Sequence, residues 1–170
     1  RTGQIVSLEL FDPALFAALC SPDMNTAATR MGQFKRLVGA FTLDVTITRE
    51  QTRVGYRCKR RPDVPWALAL SELVFLVAFA RRATRHEIQP PRVSVQRLPE
   101  DVTPYETYFG CPLEPADANE VVFAGPDARR AFLTHNDRMW ETFEPGLRRR
   151  MVEADESRSA SEQVETALFE

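Results

Sequence analysis

The segment formed by residues 103–137 constrains the fold of this chain more than any other part of the sequence. Thr103 and Glu106 have the spacing of a capping box at the start of a short helix, and Gly110 is a natural end for that helix. The residues that follow predict two short strands, a turn and a longer helix, at residues 111–114, 120–124, 125–127 and 137–154. So specific an order indicates a folded domain, and the segment contains no catalytic grouping of residues.

A β-hairpin is predicted upstream of this segment. Apolar and polar side chains alternate along residues 41–48, which is the period of a half-buried strand. The same alternation returns at residues 53–58, and a turn at residues 49–52 would pair the two strands in antiparallel fashion. The turn contains neither Asn-Gly nor Asp-Gly, so the sequence leaves its type open.

Two long helices flank this hairpin. The first is predicted at residues 21–38, with Ser21 as the N-cap, Pro22 at the first helical position and Gly39 as the end. Its apolar residues recur at intervals of three and four, so one face is expected in the core. The second, at residues 66–86, is apolar on nearly every face, which is typical of a helix at the centre of a core.

The order of elements indicates an internal repetition. Residues 4–10 predict a strand that is followed by a helix and the hairpin, which makes one βαββ-like unit. Residues 92–98 predict another strand, followed by a short helix and two strands, which makes a second unit. The sequence therefore predicts an α+β fold, with a mostly antiparallel sheet from two βαββ-like units, a central buried helix, helices packed on one face and a C-terminal helical region.

The end of the chain predicts a boundary between two regions. The last helical region is expected to break or kink at Pro145. Residues 155–160 (DESRSA) are typical of a flexible linker, and residues 161–170 begin another amphipathic helix. We therefore assign residues 1–154 to one domain, and residues 155–170 to a linker and the start of a further domain.

Composition excludes several classes of protein. With 170 residues and 44% apolar residues, the chain is long enough for one domain with a sizeable core. Its net charge of −2 does not suit a stand-alone nucleic-acid-binding protein. Three widely spaced cysteines without a CxxC pair predict neither a zinc site nor a disulfide framework, and they favour the cytoplasm. The longest apolar run is too short to cross a membrane, so no membrane partner is predicted.

The sequence contains no recognisable catalytic or cofactor motif. His86 and His135 each lack a second ligand at helical or turn spacing, whereas a metal site needs three or four ligands. No nucleophile elbow, dinucleotide fingerprint or phosphate-binding loop is present, and seven glycines leave little material for such a loop. We therefore predict no enzyme, no catalytic residue, no metal and no cofactor.

Glu72 is the most informative polar residue, because it lies in an otherwise apolar helix. A buried carboxylate must be paired or hydrogen-bonded, and Arg57 or Tyr56 could face it across the hairpin. Glu72 could instead reach solvent, or it could orient a ligand in a mostly apolar pocket. In that last interpretation the candidate ligand-binding residues are Tyr56, Trp66, Glu72, Phe75, Tyr105 and Tyr108. Each of the aromatic residues could equally be an ordinary member of the core.

Three motifs together resemble a known family. They are residues 20–24 (CSPDM), residues 104–112 (PYETYFGCP) and the strand, turn and helix entry of residues 119–137. In this order they resemble the sensor domain of AraC/XylS-type bacterial transcription regulators, in its arabinose-binding-like N-terminal variant. Residues 148–151 and 161–170 are similar to the link toward the DNA-binding half. The chain departs from the family at residues 113–115 (LEP), where an apolar Val-X-Phe is usual.

The resemblance implies a function. It indicates a cytoplasmic, ligand-sensing domain that forms a homodimer and responds to a small-molecule effector. DNA would be contacted only through a C-terminal helix-turn-helix domain, which this fragment lacks. Sugars, amino acids, fatty acids and aromatic compounds all remain open as effectors. An alternative on the same fold is a purely structural dimerisation module without a ligand, and the scatter of histidines and cysteines argues against a small enzyme.

Overall fold

A computed structural model describes residues 13–37, 41–58 and 64–168 of the chain. Its helices are α1 (Pro13–Leu19), α2 (Met24–Phe34, continued by the 3-10 turn Lys35–Leu37), α3 (Trp66–Thr84), α4 (Thr103–Phe109), α5 (Gly125–Ala128) and α6 (Asp137–Leu168). Its strands are β1 (Phe41–Ile47), β2 (Gln51–Cys58), β3 (Arg92–Val95), β4 (Leu113–Pro115) and β5 (Asn119–Ala124). The predicted α+β class is confirmed.

The five strands form one sheet in the order β1-β2-β5-β3-β4. The pairs β1–β2, β2–β5 and β3–β5 are antiparallel, whereas β3 and β4 run parallel. Val54 is paired with Val45 on one side and with Val121 on the other, so apolar residues line up across the same face. The hairpin predicted from period two is confirmed as β1 and β2, and the sheet is mostly antiparallel as expected.

Helices α2 and α3 pack on this apolar face. Gly32 lets α2 approach β1 closely, because a Cβ at that position would lie 3.2 Å from the backbone oxygen of Leu43. Helix α3 contributes apolar side chains from most of its circumference, as predicted for a central helix. The cluster they form with the strands includes Met24, Met31, Val54, Leu70, Leu73, Leu76, Val93, Val121 and Phe123. Each fully buried Leu or Phe side chain contributes about 1.5–3 kcal/mol to folding.

The second βαββ-like unit is present as β3, α4, β4 and β5. Gly110 ends α4 with a φ of 77°, a left-handed conformation that favours glycine. The predicted capping box does not form, because Val102 is the N-cap and Asp101 accepts the hydrogen bond from the Thr103 N–H. Glu106 instead accepts from the Leu113 N–H at 3.0 Å, which ties α4 to β4.

Part of the first unit lies outside the described residues. This holds for the strand predicted at residues 4–10 and for Gly39, the predicted end of the first long helix. Helix α2 begins at Met24, since the Asp23 carboxylate rather than Ser21 caps it by accepting from the Thr26 N–H at 2.8 Å. Ser21 was therefore the wrong N-cap.

Two other elements are shorter than predicted. Helix α3 ends at Thr84 because Arg85 takes a left-handed conformation with a φ of 57°. Strand β3 ends at Val95, three residues before the predicted end at residue 98, since Gln96 turns to bond with Asn119 rather than continuing the ladder.

Helix α6 is longer and more regular than predicted. It runs through Pro145 and through residues 155–160 without interruption, so the expected break is wrong and the segment predicted to be flexible is helical. Proline removes only one backbone hydrogen bond, and Leu147 and Met151 pack just beyond it in a buried cluster. Glu156, Arg158 and Ala160 in the tail are good helix formers, which explains why polarity alone was misleading. The functional division at residue 154 stays a prediction.

Candidate functional site

Two adjoining cavities lie at one end of the sheet, where β2 ends, β5 begins and the chain enters α3. One has a volume of about 400 Å³ and is lined by Tyr56, Arg57, Cys58, Val64, Gln96, Asp117, Ala118 and Asn119. The other has a volume of about 570 Å³ and is lined by Val64, Pro65, Trp66, Gln96 and Arg97. Because Val64 and Gln96 border both cavities, we treat them as one site, the strand-end groove. Its size is typical of small-molecule sites in proteins.

A pair of interlocked amides forms the polar part of the groove wall. The Gln96 backbone N–H donates to Asn119 Oδ1, and Asn119 Nδ2 donates to Gln96 Oε1, both at 3.0 Å. Gln96 Nε2 also donates to the Asp117 carbonyl oxygen at 3.1 Å. Asn119 is only 3% exposed. These amides are therefore held in fixed orientations, as the few polar groups of a ligand site usually are.

Tyr56 connects the groove to the interior of the domain. It lies on β2, is 1% exposed, and its ring stacks on Phe41 with centroids 5.0 Å apart. The Lys35 ammonium lies 5.9 Å from the centroid of the same ring, near the outer limit of a cation–π contact. A change in the position of Tyr56 would thus be felt both in the groove and at the end of α2.

Glu72 is paired with Lys35 inside the domain. The Lys35 ammonium donates to Glu72 Oε2 at 2.7 Å, and the two residues are 7% and 9% exposed. Of the two partners that the sequence suggested, Arg57 was wrong, since it pairs with Asp44 at 2.6 Å instead. Among the alternatives left open, the structure shows the internal ion pair.

The structure brings two of the six candidate ligand residues to the groove. They are Tyr56 and Trp66, one in each cavity. Phe75 is 4% exposed and packs against Phe79 with ring centroids 5.9 Å apart, which is a core contact. Tyr105 is partly buried against the same core. A binding role for any of the six residues stays a prediction.

Tyr108 belongs to a separate contact between α3 and α4. Its hydroxyl donates to the Val74 carbonyl oxygen at 3.3 Å, and the Arg81 guanidinium lies 4.8 Å from its ring centroid. Burial raises the pKa of the Tyr108 phenol, and the nearby positive charge of Arg81 lowers it in part. These contacts give Tyr108 a structural role in holding α4 on α3.

Sequence reasoning missed most of the polar groups of the groove. Cys58, Gln96, Asp117 and Asn119 come from three segments that are distant in sequence. Cys58 ends the predicted strand 53–58, Gln96 lies near the end of the predicted strand 92–98, and Asp117 and Asn119 lie in the loop before the predicted strand 120–124. Polar residues are ordinary at such places. Only the sheet order, which places β5 between β2 and β3, brings them together.

The cysteines do not form a common site. Cys20 is buried in the connection between α1 and α2, while Cys58 and Cys111 are partly exposed, and all three are free thiols. Burial raises the pKa of the Cys20 thiol, and the charge of Arg30 lowers it in part. Within residues 13–37, 41–58 and 64–168, no group of three or more His, Cys, Asp or Glu side chains could hold a metal ion.

Helix α6 is fastened to α1 and α2 by a second cluster of side chains. The Arg30 guanidinium carbon lies 3.6 Å from the centroid of the Trp140 ring, and Arg30 also donates to Ser21 Oγ at 2.9 Å. Phe34 approaches the same indole, with centroids 6.2 Å apart. The buried members of this α1–α6 cluster are Ala14, Ala17, Phe34, Leu147 and Met151. The first half of α6 is therefore tied to the helix that packs on the sheet.

The comparison with protein families identifies the chain. Residues 1–132 match the family described as the arabinose-binding domain of AraC transcription regulators, N-terminal. The chain belongs to this family. The family resemblance inferred from residues 20–24, 104–112 and 119–137 is thus confirmed. It is a family of regulator sensor domains and not a class of enzymes.

A solved structure supports the fold. The chain is similar to the crystal structure of transcriptional regulator CdpR from Pseudomonas aeruginosa, with a TM-score of 0.56 and 18% sequence identity. The similarity covers 85% of this chain and 51% of that chain, so the present chain spans about half the length of that protein. A search of curated proteins finds no match.

One departure from the family pattern can be placed in the structure. The segment of residues 113–115 that departs from the family pattern forms β4, at the edge of the sheet, where Pro115 is tolerated because no further strand is needed beside it. No helix in the described part of the chain has the length and apolarity needed to cross a membrane.

Proposed function

We propose that this AraC-type sensor domain binds a small-molecule effector in the strand-end groove. The observation that carries the proposal is the groove itself, with its two adjoining cavities and its fixed amide pair. Trp66 and Tyr56 would supply apolar surface, while Gln96 and Asn119 would orient the polar part of the ligand. Binding would stabilise one conformation of the domain and so alter DNA binding by a helix-turn-helix domain beyond this chain, in the cytoplasm.

A melting screen with a matched pair of variants tests the site. Sugars, amino acids, fatty acids and aromatic acids are added in turn, and a ligand at 100 times its Kd should stabilise the domain by about 2.7 kcal/mol. Trp66→Leu should abolish that rise in Tm. Tyr105→Leu is the control, because Tyr105 is a partly buried aromatic residue that does not line the groove.

The outcomes separate the remaining interpretations. If Tyr105→Leu abolishes the effect and Trp66→Leu does not, the site lies at α4 rather than at the groove. If no compound raises the Tm of the parent protein, the groove has no effector role, and the domain is a structural dimerisation module instead.

We further propose that the domain forms a homodimer through the exposed side of α1 and α6. Phe16 is 40% exposed and touches Phe143 edge-on, with ring centroids 5.4 Å apart, while Val152 on α6 is 57% exposed. Large apolar side chains that remain exposed along neighbouring helices are typical of an association surface.

Light scattering after gel filtration tests the dimer. Phe16→Glu should lower the apparent mass from dimer to monomer, since it places a charge in the apolar surface. Leu98→Glu is the control, because Leu98 is 38% exposed but follows β3, away from α1 and α6. A dimer that survives Phe16→Glu, or a monomeric parent protein, would exclude this surface.

A further inference from the structure

The end of α2 lies between the strand-end groove and helix α6. Lys35 opens the 3-10 turn that follows α2, and its ammonium faces both the Tyr56 ring and the Glu72 carboxylate. The preceding residue, Phe34, contacts Trp140 on α6, and Leu37 at the other end of the turn packs on the α1–α6 cluster. One short segment therefore contacts the groove wall on one side and α6 on the other.

We infer that the buried Lys35–Glu72 pair transmits occupancy of the groove to α6. This inference rests on the proposed effector role of the groove and adds a route by which a ligand would act. Tyr56 is the first residue of the route, because it lines the groove and faces Lys35. A ligand that moves the Tyr56 ring changes the surroundings of the Lys35 ammonium.

Stability alone does not explain a buried ion pair at this place. The cost of taking two charges out of water often exceeds their attraction, and an apolar pair of similar volume is commonly as stable or more stable. What an ion pair adds is a defined geometry, since the Lys35 ammonium lies 2.7 Å from Glu72 Oε2 and leaves that position only by losing its counter-ion. The pair thereby fixes the 3-10 turn against α3, in one arrangement relative to Tyr56.

The 3-10 turn is a suitable element for two arrangements. Its hydrogen bonds have poorer geometry than those of an α-helix, so its backbone is held less firmly than that of α2. A small rotation there would shift Phe34 and Leu37 together, and with them their contacts to α6. Coupling of this kind needs a ligand that prefers one of the two arrangements.

The two tryptophans make the inference testable without knowing the effector. Trp66 lines the groove, whereas Trp140 is on α6, where the Arg30 guanidinium covers its ring. In a Trp66→Phe, Cys111→Ser protein, Trp140 is the sole tryptophan and Cys58 is the sole partly exposed thiol. N-ethylmaleimide then serves as the groove probe, and mass spectrometry confirms a single adduct on Cys58.

The expected result is a shift of Trp140 emission when Cys58 is modified. In the Lys35→Met/Glu72→Met protein the same adduct should form, but most of the emission shift should be lost. An equal shift with and without the ion pair, or no shift with the pair intact, would overturn the inference. If Cys58 is unreactive, Cys58→Phe fills the groove in its place and the same comparison holds.

Two further arms keep the outcome interpretable. If the Met pair does not fold, Lys35→Gln/Glu72→Gln removes both charges while keeping hydrogen-bonding groups of similar size. Because the probe is attached covalently, the result does not depend on finding an effector. A failed ligand screen with a Trp140 response would count against the effector role alone, and a ligand that binds without a Trp140 response would count against the coupling alone.

Discussion

Arg30 and Lys35 lie on the same helical segment and each faces an aromatic ring, yet their charges are satisfied in different ways. The Arg30 guanidinium covers the Trp140 ring at 3.6 Å, donates to the neutral hydroxyl of Ser21, and remains partly exposed. Lys35 is 7% exposed, and it is bonded directly to the Glu72 carboxylate at 2.7 Å. Burial accounts for the difference.

The comparison shows that the degree of burial of a cationic side chain determines what kind of partner it needs. Burial lowers the pKa of the Arg30 guanidinium, while the carboxylates of Asp137 and Glu144 act at longer range to raise it. Partial exposure to water makes this loose arrangement sufficient. A fully buried ammonium has no such access to water, so a charged partner in direct contact is required.

The largest effect should come from removing the carboxylate partner of the buried cation. Glu72→Ala leaves the Lys35 charge buried without its counter-ion, and we expect a loss of about 3–5 kcal/mol in the free energy of unfolding. Urea denaturation measures this loss. Glu141→Ala, at an exposed carboxylate on α6, should change stability by no more than about 0.5 kcal/mol. Similar values for the two variants would contradict our account of Lys35.

The partly exposed cation should matter less. Arg30→Met keeps an apolar side chain beside Trp140 but removes the charge above the ring, and we expect a loss of about 1 kcal/mol in the free energy of unfolding. Arg30→Lys should retain part of this contribution. A loss from Arg30→Met as large as that from Glu72→Ala would mean that burial does not separate the two sites.

A smaller effect is expected in the alkaline limb of the stability curve. Burial raises the pKa of the Cys20 thiol above its value in the unfolded chain. The unfolded chain therefore loses this proton first, so stability should fall as the pH rises above about 8.5 and through the folded pKa. Cys20→Ala should reduce the fall in the free energy of unfolding with rising pH. Urea denaturation at a series of values between about pH 8 and pH 10, where thiols ionise, measures this.

Arg30 provides a check on this interpretation. Its positive charge lowers the pKa of Cys20 in part, so Arg30→Met should raise that pKa further and enlarge the difference made by Cys20→Ala. Cys111 serves as the control, because burial also raises the pKa of its thiol but Arg30 does not act on it. An equal effect of Arg30→Met on both thiols would exclude the direct influence of its charge.

The smallest change should follow from replacing both members of the buried pair. Lys35→Met/Glu72→Met removes two desolvated charges at once and fills the space with flexible apolar side chains. We expect a free energy of unfolding equal to that of the parent protein or higher by up to about 1 kcal/mol. A loss comparable to that of Glu72→Ala would show that the ion pair itself stabilises the fold.

Much of the local structure could be predicted from the sequence. Alternation at residues 41–48 and 53–58 predicted β1 and β2, and a run that is apolar on nearly every face predicted the central helix α3. These patterns are reliable because the buried face of a strand recurs every two residues and that of a helix about every 3.6 residues. Helix ends were less predictable, since Ser21 and Asp23 are both good N-caps and only the Thr26 N–H shows which one is used.

The candidate site was harder to predict, because its parts are distant in sequence. Tyr56 and Trp66 were among the candidates because Tyr56 could face Glu72 and Trp66 could supply an apolar wall, and both line the groove. Gln96 and Asn119 were missed, as a single amide at a strand end has no pattern of its own. The partner of Glu72 was missed for the same reason: Lys35 lies 37 residues away.

The sequence by itself determined the elements, the class of fold and the family, because periodicity, caps and motif order are local properties. The tertiary structure alone decided which strand lies beside which, and therefore which polar groups meet at the groove. It also decided that Lys35 rather than Arg57 neutralises Glu72, and that α6 continues through Pro145. These outcomes depend on packing between distant segments. A buried charge or backbone polar group needs a partner, and only the fold decides which residue lies close enough to be one.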